Sequence, residues 1–132
     1  MAESVRSVQK DKFRAYFRKA EQFHSAMNRS LDEDEWNGAT LTAVHCAISS
    51  FDALTVYHLG SRSSGQRHED VVKLVRQTKI AGVEDKIKQF LDVIRLKNLV
   101  EYDADEPSEN DATRACLQAD RLFSWVKSNL EI

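Results

Sequence analysis

Proline is nearly missing from this 132-residue chain: Pro107 is its single example, and only four glycines accompany it. Long stretches therefore run without the residues that break helices. Cysteine is scarce too. Cys46 and Cys116 both sit within apolar helical patterns, with no CxxC and no Cys/His ligand spacing, so neither a disulfide framework nor a structural zinc site is expected. No strand-like alternation and no glycine-rich turn between strand and helix occurs, which excludes nucleotide-binding α/β folds. HExxH is absent, and Glu33, Glu84 and Glu109 have no histidine three residues on, so di-iron bundle chemistry is excluded and no metal or cofactor is expected. The N-terminus, MAESVRSVQKDKFRAYF, is charged and lacks an apolar core segment, which points away from secretion and toward a cytoplasmic protein.

Charge is also missing from one long stretch. The chain is 30% charged overall, yet between Gly38 and Gly60 only Asp52 carries a formal charge. Small residues (Ala39, Ala43, Ala47, Ser49, Ser50, Ala53) are interspersed there with Leu41, Val44, Ile48, Phe51, Leu54 and Tyr57. A helix apolar nearly all round is one surrounded by others, so Trp36–Leu59 reads as the central helix of a bundle, ended by Gly60. Its His, Ser, Thr and Asp content makes it a core helix rather than a membrane span. Its small residues would also let a second copy of the chain approach closely, which predicts a homodimer.

Apolar residues spaced by threes and fours predict a first helix from Ser4 to about Met27. Asp32, with Glu35 three residues on, has the spacing of a capping box for the second helix. Gly60 to Arg67 reads as a loop, His68 opens a third helix, and Ala81-Gly82 ends it. A fourth helix runs from Val83 to about Leu99. The acidic turn Tyr102–Pro107 follows, and then a fifth helix capped by Ser108 with Asp111 in reciprocal position. The expectation is one all-α domain over residues 1–132, a single antiparallel bundle of four to five helices.

Net charge is −2, against a whole-surface grip on nucleic acid, but its distribution alternates. Residues 1–30 carry seven basic against three acidic side chains, 31–61 none against five, 62–100 nine against five, and 101–132 three against eight. Such blocks suit antiparallel neighbours or a dimer and can leave one basic face. Two arginine-bearing segments could meet a ligand. In the first, Arg62, Arg67 and His68 combine guanidiniums, a serine/glycine loop and a helix start, the parts of a phosphate cradle, although solvated arginines and a locally packed histidine explain the same residues. In the second, Arg95 and Asn98 share a helical face that approaches Tyr102, while an ion pair from Arg95 to Asp52 or Asp103 is an equal alternative. Asp52, if buried, requires an Arg or His partner. His24, His45 and His58 lie inside helical patterns and read as packed or surface residues.

The segment AVHCAISSFDALTVYHLGSRSSGQRHEDVVKLV resembles the HEPN domain pattern, in which an Ala-rich helix ends in Gly and a loop precedes a His-led helix. RLKNLVEYDADEPSENDATRACLQADRLFSWVKSNL is similar to the family's Arg…Tyr-Asp, acidic turn and capped last helix. The resemblance extends over residues 10–130 in the order of its features. It implies a four- or five-helix bundle, a homodimer, and a place in toxin–antitoxin, defence or nucleotidyltransferase-linked systems. Many members of the family are metal-independent ribonucleases with an Arg-x(4–6)-His motif, whose His acts on the ribose 2′-hydroxyl while Arg stabilises phosphate charge. Here Arg95 matches the Arg, but Glu101 stands where His would be, and Leu96 replaces the usual polar neighbour. Arg62 and His68 fit Arg-x5-His in an earlier loop. The resemblance thus implies a non-catalytic dimeric module binding a nucleotide, RNA or a protein partner such as a nucleotidyltransferase or antitoxin. A ribonuclease toxin, and a structural or adaptor bundle with no ligand, are the alternatives.

Overall fold

The computed structural model describes residues 5–64 and 67–131. Gly65 and Gln66, part of the expected loop, and Ser4, the expected start of the first helix, lie outside the described residues. The chain forms β1 (Val5–Ser7), a short 3-10 turn (Lys10–Lys12), α1 (Phe13–Asp32), α2 (Trp36–Leu59), β2 (Ser61–Ser63), α3 (His68–Arg76), α4 (Val83–Ile94), α5 (Lys97–Tyr102) and α6 (Glu109–Ser128). This is the all-α bundle expected, with one small sheet added.

The long helix α2 is the spine. Ala39, Ala43, Ala47, Phe51, Ala53 and Leu54 have no exposed surface, and neither do Thr40 and Ser50. The small side chains let α1 and α6 approach α2 closely, which is the use the fold makes of them. They are spent inside the monomer, so the close-approach surface that the sequence offered to a second copy is already covered. Although α2 is long and apolar enough to cross a membrane, most of it is buried against other helices, as in a core helix. Around it, Phe51 stacks on Phe90 of α4 at 4.8 Å and Phe17 of α1 stacks on Phe123 of α6 at 5.2 Å.

Four expectations need correction, the simplest being the third helix, which stops at Arg76 and not at Ala81-Gly82. The first helix begins at Phe13, not near Ser4, because Val5–Ser7 pairs antiparallel with Ser61–Ser63 in the register Val5 with Ser63 and Ser7 with Ser61. Isolated three-residue strands carry no periodicity that a sequence can show. That helix also runs on to Asp32, and α2 starts after Glu35 with no side-chain cap, so Asp32 caps nothing. The fourth helix stops at Ile94; Leu96 turns the chain, and Lys97–Tyr102 forms a separate short helix. By contrast, Ser108 and Asp111 form the reciprocal capping box at α6, and Gly60 ends α2 in the left-handed region at φ +66°. The Gly60 carbonyl then accepts a hydrogen bond from the Val8 amide at 2.9 Å, which starts the pairing of the two strands.

If the small face of α2 is packing surface, filling it must strain the bundle. Ala47→Leu is expected to lower stability by about 1–3 kcal/mol in urea unfolding followed by circular dichroism. A neutral result would mean α1 and α6 leave room there.

Candidate functional site

Arg62 lies on β2, immediately beyond the C-terminal end of α2, and the pairing with β1 holds that strand in place. Its guanidinium turns inward. One Nη2 donates to Asp52 Oδ2 at 3.4 Å, and the planar group lies over the Tyr16 ring of α1 at 5.2 Å from the ring centre. The Lys19 ammonium reaches the same ring at 5.8 Å. Asp52 is 6% exposed, and its partner is Arg62 rather than Arg95 or Asp103. Burial pushes the Asp52 carboxyl up to about 6, against the opposing pull of Arg62 and, more weakly, Lys19. This buried carboxylate is therefore only partly compensated: the single contact is long and the desolvation is large.

The other sequence candidates do not join Arg62. Arg67 stands at the start of α3, largely exposed, with Glu69 at 3.8 Å. His68 is half-buried on the first turn of α3; burial, then the Lys97 charge, lowers its imidazole below the ordinary value, while Glu69 opposes. It borders a cavity of about 530 Å³ floored by Val72 and Leu91 and edged by Lys73 and Arg76. Arg95 sits at the end of α4 and donates to Asp92 at 3.1 Å, so neither Asp52 nor Asp103 is its partner. Arg114 and Gln118 of α6 reach the same Asp92 carboxylate at 2.7 and 3.4 Å. Burial alone would raise Asp92, but these three donors hold it below its ordinary value. Asn98 is exposed, and Tyr102 is 75% exposed at the end of α5. Glu101 pairs with Lys97 at 2.9 Å.

Several groups escaped the sequence reading. Tyr16 and Lys19, three residues apart, looked like an ordinary helix face. Asp92 with Arg95 carried an i,i+3 signal that was available. His24 Nε2 donates to Asp120 at 2.7 Å and stacks on Phe123 at 4.3 Å, tying α1 to α6. His58 Nε2 donates to the Asn129 carbonyl at 2.9 Å, and the His45 ring lies 5.4 Å from that of Phe23, tilted by 33°. Nothing but tertiary contact distinguishes these histidines. Burial pushes the Cys46 thiol up to about 12 and Cys116 to about 11, so neither supplies a thiolate nucleophile at neutral pH. Among the described residues no cluster of three or more His, Cys, Asp or Glu side chains is placed to hold a metal ion.

A carboxyl raised to about 6 in the fold, from about 3.8, holds a proton that the unfolded chain has released. The stability it contributes is full below about 3.8 and is lost as pH rises through about 6. Replacing Asp52 with Asn removes that dependence. Between pH 4 and pH 7.5 the unfolding free energy of D52N is expected to gain on wild type by about 1–3 kcal/mol. Parallel pH profiles of the two proteins in thermal melts would refute it.

The comparison of sequences agrees with this architecture. The family model for the HEPN domain matches residues 13–129, from the first residue of α1 to just past α6. No curated protein matches the chain. The match covers nearly the whole chain and every long helix of the bundle: this chain belongs to the HEPN domain family.

Proposed function

We propose that this chain is a non-catalytic HEPN module that works as a homodimer and binds its target instead of cleaving it. One observation carries the reading: both arginines that could serve a ribonuclease dyad pair with carboxylates within the fold instead of with a candidate histidine. Arg62 is turned onto Asp52 and Tyr16, and Arg95 is held by Asp92. Glu101, standing where the family's His would be, is itself tied to Lys97. A carboxylate paired with an ammonium is a poor base for a ribose 2′-hydroxyl.

The reading extends to a partner of the nucleotidyltransferase or antitoxin class in a toxin–antitoxin or defence setting, as the resemblance implies, and to a cytoplasmic location, with which two buried free thiols agree. A protein remaining monomeric in sedimentation at high micromolar concentration would remove the dimer from this reading.

A second reading, a metal-independent ribonuclease, has one observation in its favour. His68 is held below its ordinary pKa, the neutral state a general base requires. Incubation of purified protein with single-stranded RNA separates the two. The expected outcome is intact RNA for wild type, His68→Ala and Arg95→Ala alike. Cleavage by wild type that is lost in either variant would overturn the non-catalytic reading.

A further inference from the structure

Helices α3 and α4 turn back on each other, and the groove between them is closed at one end. There Arg76, in the last turn of α3, donates Nε–H and Nη2–H to the two carboxylate oxygens of Glu84, in the first turn of α4, at 2.9 and 3.0 Å. Toward the other end His68 and Leu91 line the same cavity of about 530 Å³. Arg76 and His68 are eight residues of helix apart, a rise of about 12 Å. The floor is apolar: Val72 is 7% exposed, and the fold leaves Leu91 44% exposed.

The charges around this groove pair off, with one exception. Arg76 pairs with Glu84, Arg67 with Glu69, and Lys97 with Glu101. Burial and the Lys97 charge hold His68 below its ordinary pKa, so its imidazole brings no charge to the groove at neutral pH. Lys73, exposed on the rim, makes no hydrogen bond or ion pair among the described residues.

We infer that this groove binds a medium-chain aliphatic carboxylate, with its head on the Lys73 ammonium and its chain along Val72 and Leu91. The inference goes beyond the reading of the chain as a binding module and does not depend on it. One unpaired ammonium on a flexible apolar stem suits a single negative charge on an alkyl chain. A phosphate calls for several donors, and Arg76 already presents its fork to Glu84. Glu69, at the same rim, disfavours a second negative charge there. The cavity has the size of a small-molecule pocket, about 300–1,000 Å³. A stable protein interface draws on about 20–30 residues a side, and six line this cavity. An alkyl chain laid in it covers the leucine that the fold leaves open, and that burial supplies the affinity.

Calorimetric titration of the full chain at low salt, below the micellar concentration of each amphiphile, tests the inference with decanoate, decylamine and acetate. Decanoate is expected to bind about tenfold or more tighter than acetate, which lacks the chain. It is expected to bind about fivefold tighter than decylamine, which carries the opposite charge. Lys73→Met, at an exposed position, is expected to abolish the preference for the anion with an unchanged melting temperature. Leu91→Ser is expected to weaken decanoate binding about fivefold. Leu117→Ser, at a leucine of α6 that is 47% exposed and outside the cavity, is expected to leave it unchanged. Absence of decanoate binding at millimolar concentration overturns the inference. So does a preference for the anion that survives Lys73→Met, or an equal loss in the two leucine variants. None of these outcomes bears on RNA cleavage or on sedimentation, so this inference and the non-catalytic reading fail separately.

Discussion

The close approach of α1 and α6 to α2 is the constraint on which the other features depend. It requires small side chains along α2, since the volume between helix axes is set by the residues at the contact. Once Ala43, Ala47 and Ala53 admit the neighbouring helices, Phe51 has a fixed place against Phe90, and Phe17 against Phe123. The same packing brings Tyr16 alongside the last turns of α2, where Arg62 returns on β2. The aromatic and cationic face is thus a by-product of how tightly two helices can pack.

Asp52 illustrates how such a framework handles a charge. A carboxylate at that depth loses its hydration, and one long contact to Arg62 restores only part of it. A hydrophobic residue of similar size would cost less. What the pair secures is the position of a guanidinium that would otherwise be free in solvent, a gain in placement more than in stability. Asp92 shows the opposite balance: three donors surround it and its charge is satisfied, while Arg95 and Arg114 each give it one Nε–H and keep half or more of the side chain exposed.

Membership in the HEPN family and the departure from its ribonuclease pattern bear on each other. The bundle is that of the family, and Glu101, which the resemblance sets where the family's histidine would be, is paired with Lys97 within the local structure of α5. Membership therefore fixes the fold and not the activity, since function resides in sites carried by the fold.

Much of the bundle was legible in the residues alone. The missing charge from Gly38 to Gly60 placed the central helix, the three/four spacing placed the others, and Ser108 with Asp111 placed the start of the last one. These features are local, decided within a turn or two of helix, so spacing encodes them. The burial of Asp52 and its need for a cation were legible for the same reason. Which cation answers it was not, because Arg62 depends on a strand pairing between Val5–Ser7 and Ser61–Ser63, segments more than fifty residues apart. Arg95 turning to Asp92, the small face of α2 being closed by its own chain, and Tyr16 with Lys19 meeting Arg62 were likewise decided by tertiary packing. Sequence spacing states which face a residue occupies; only the folded chain brings the opposite face to it.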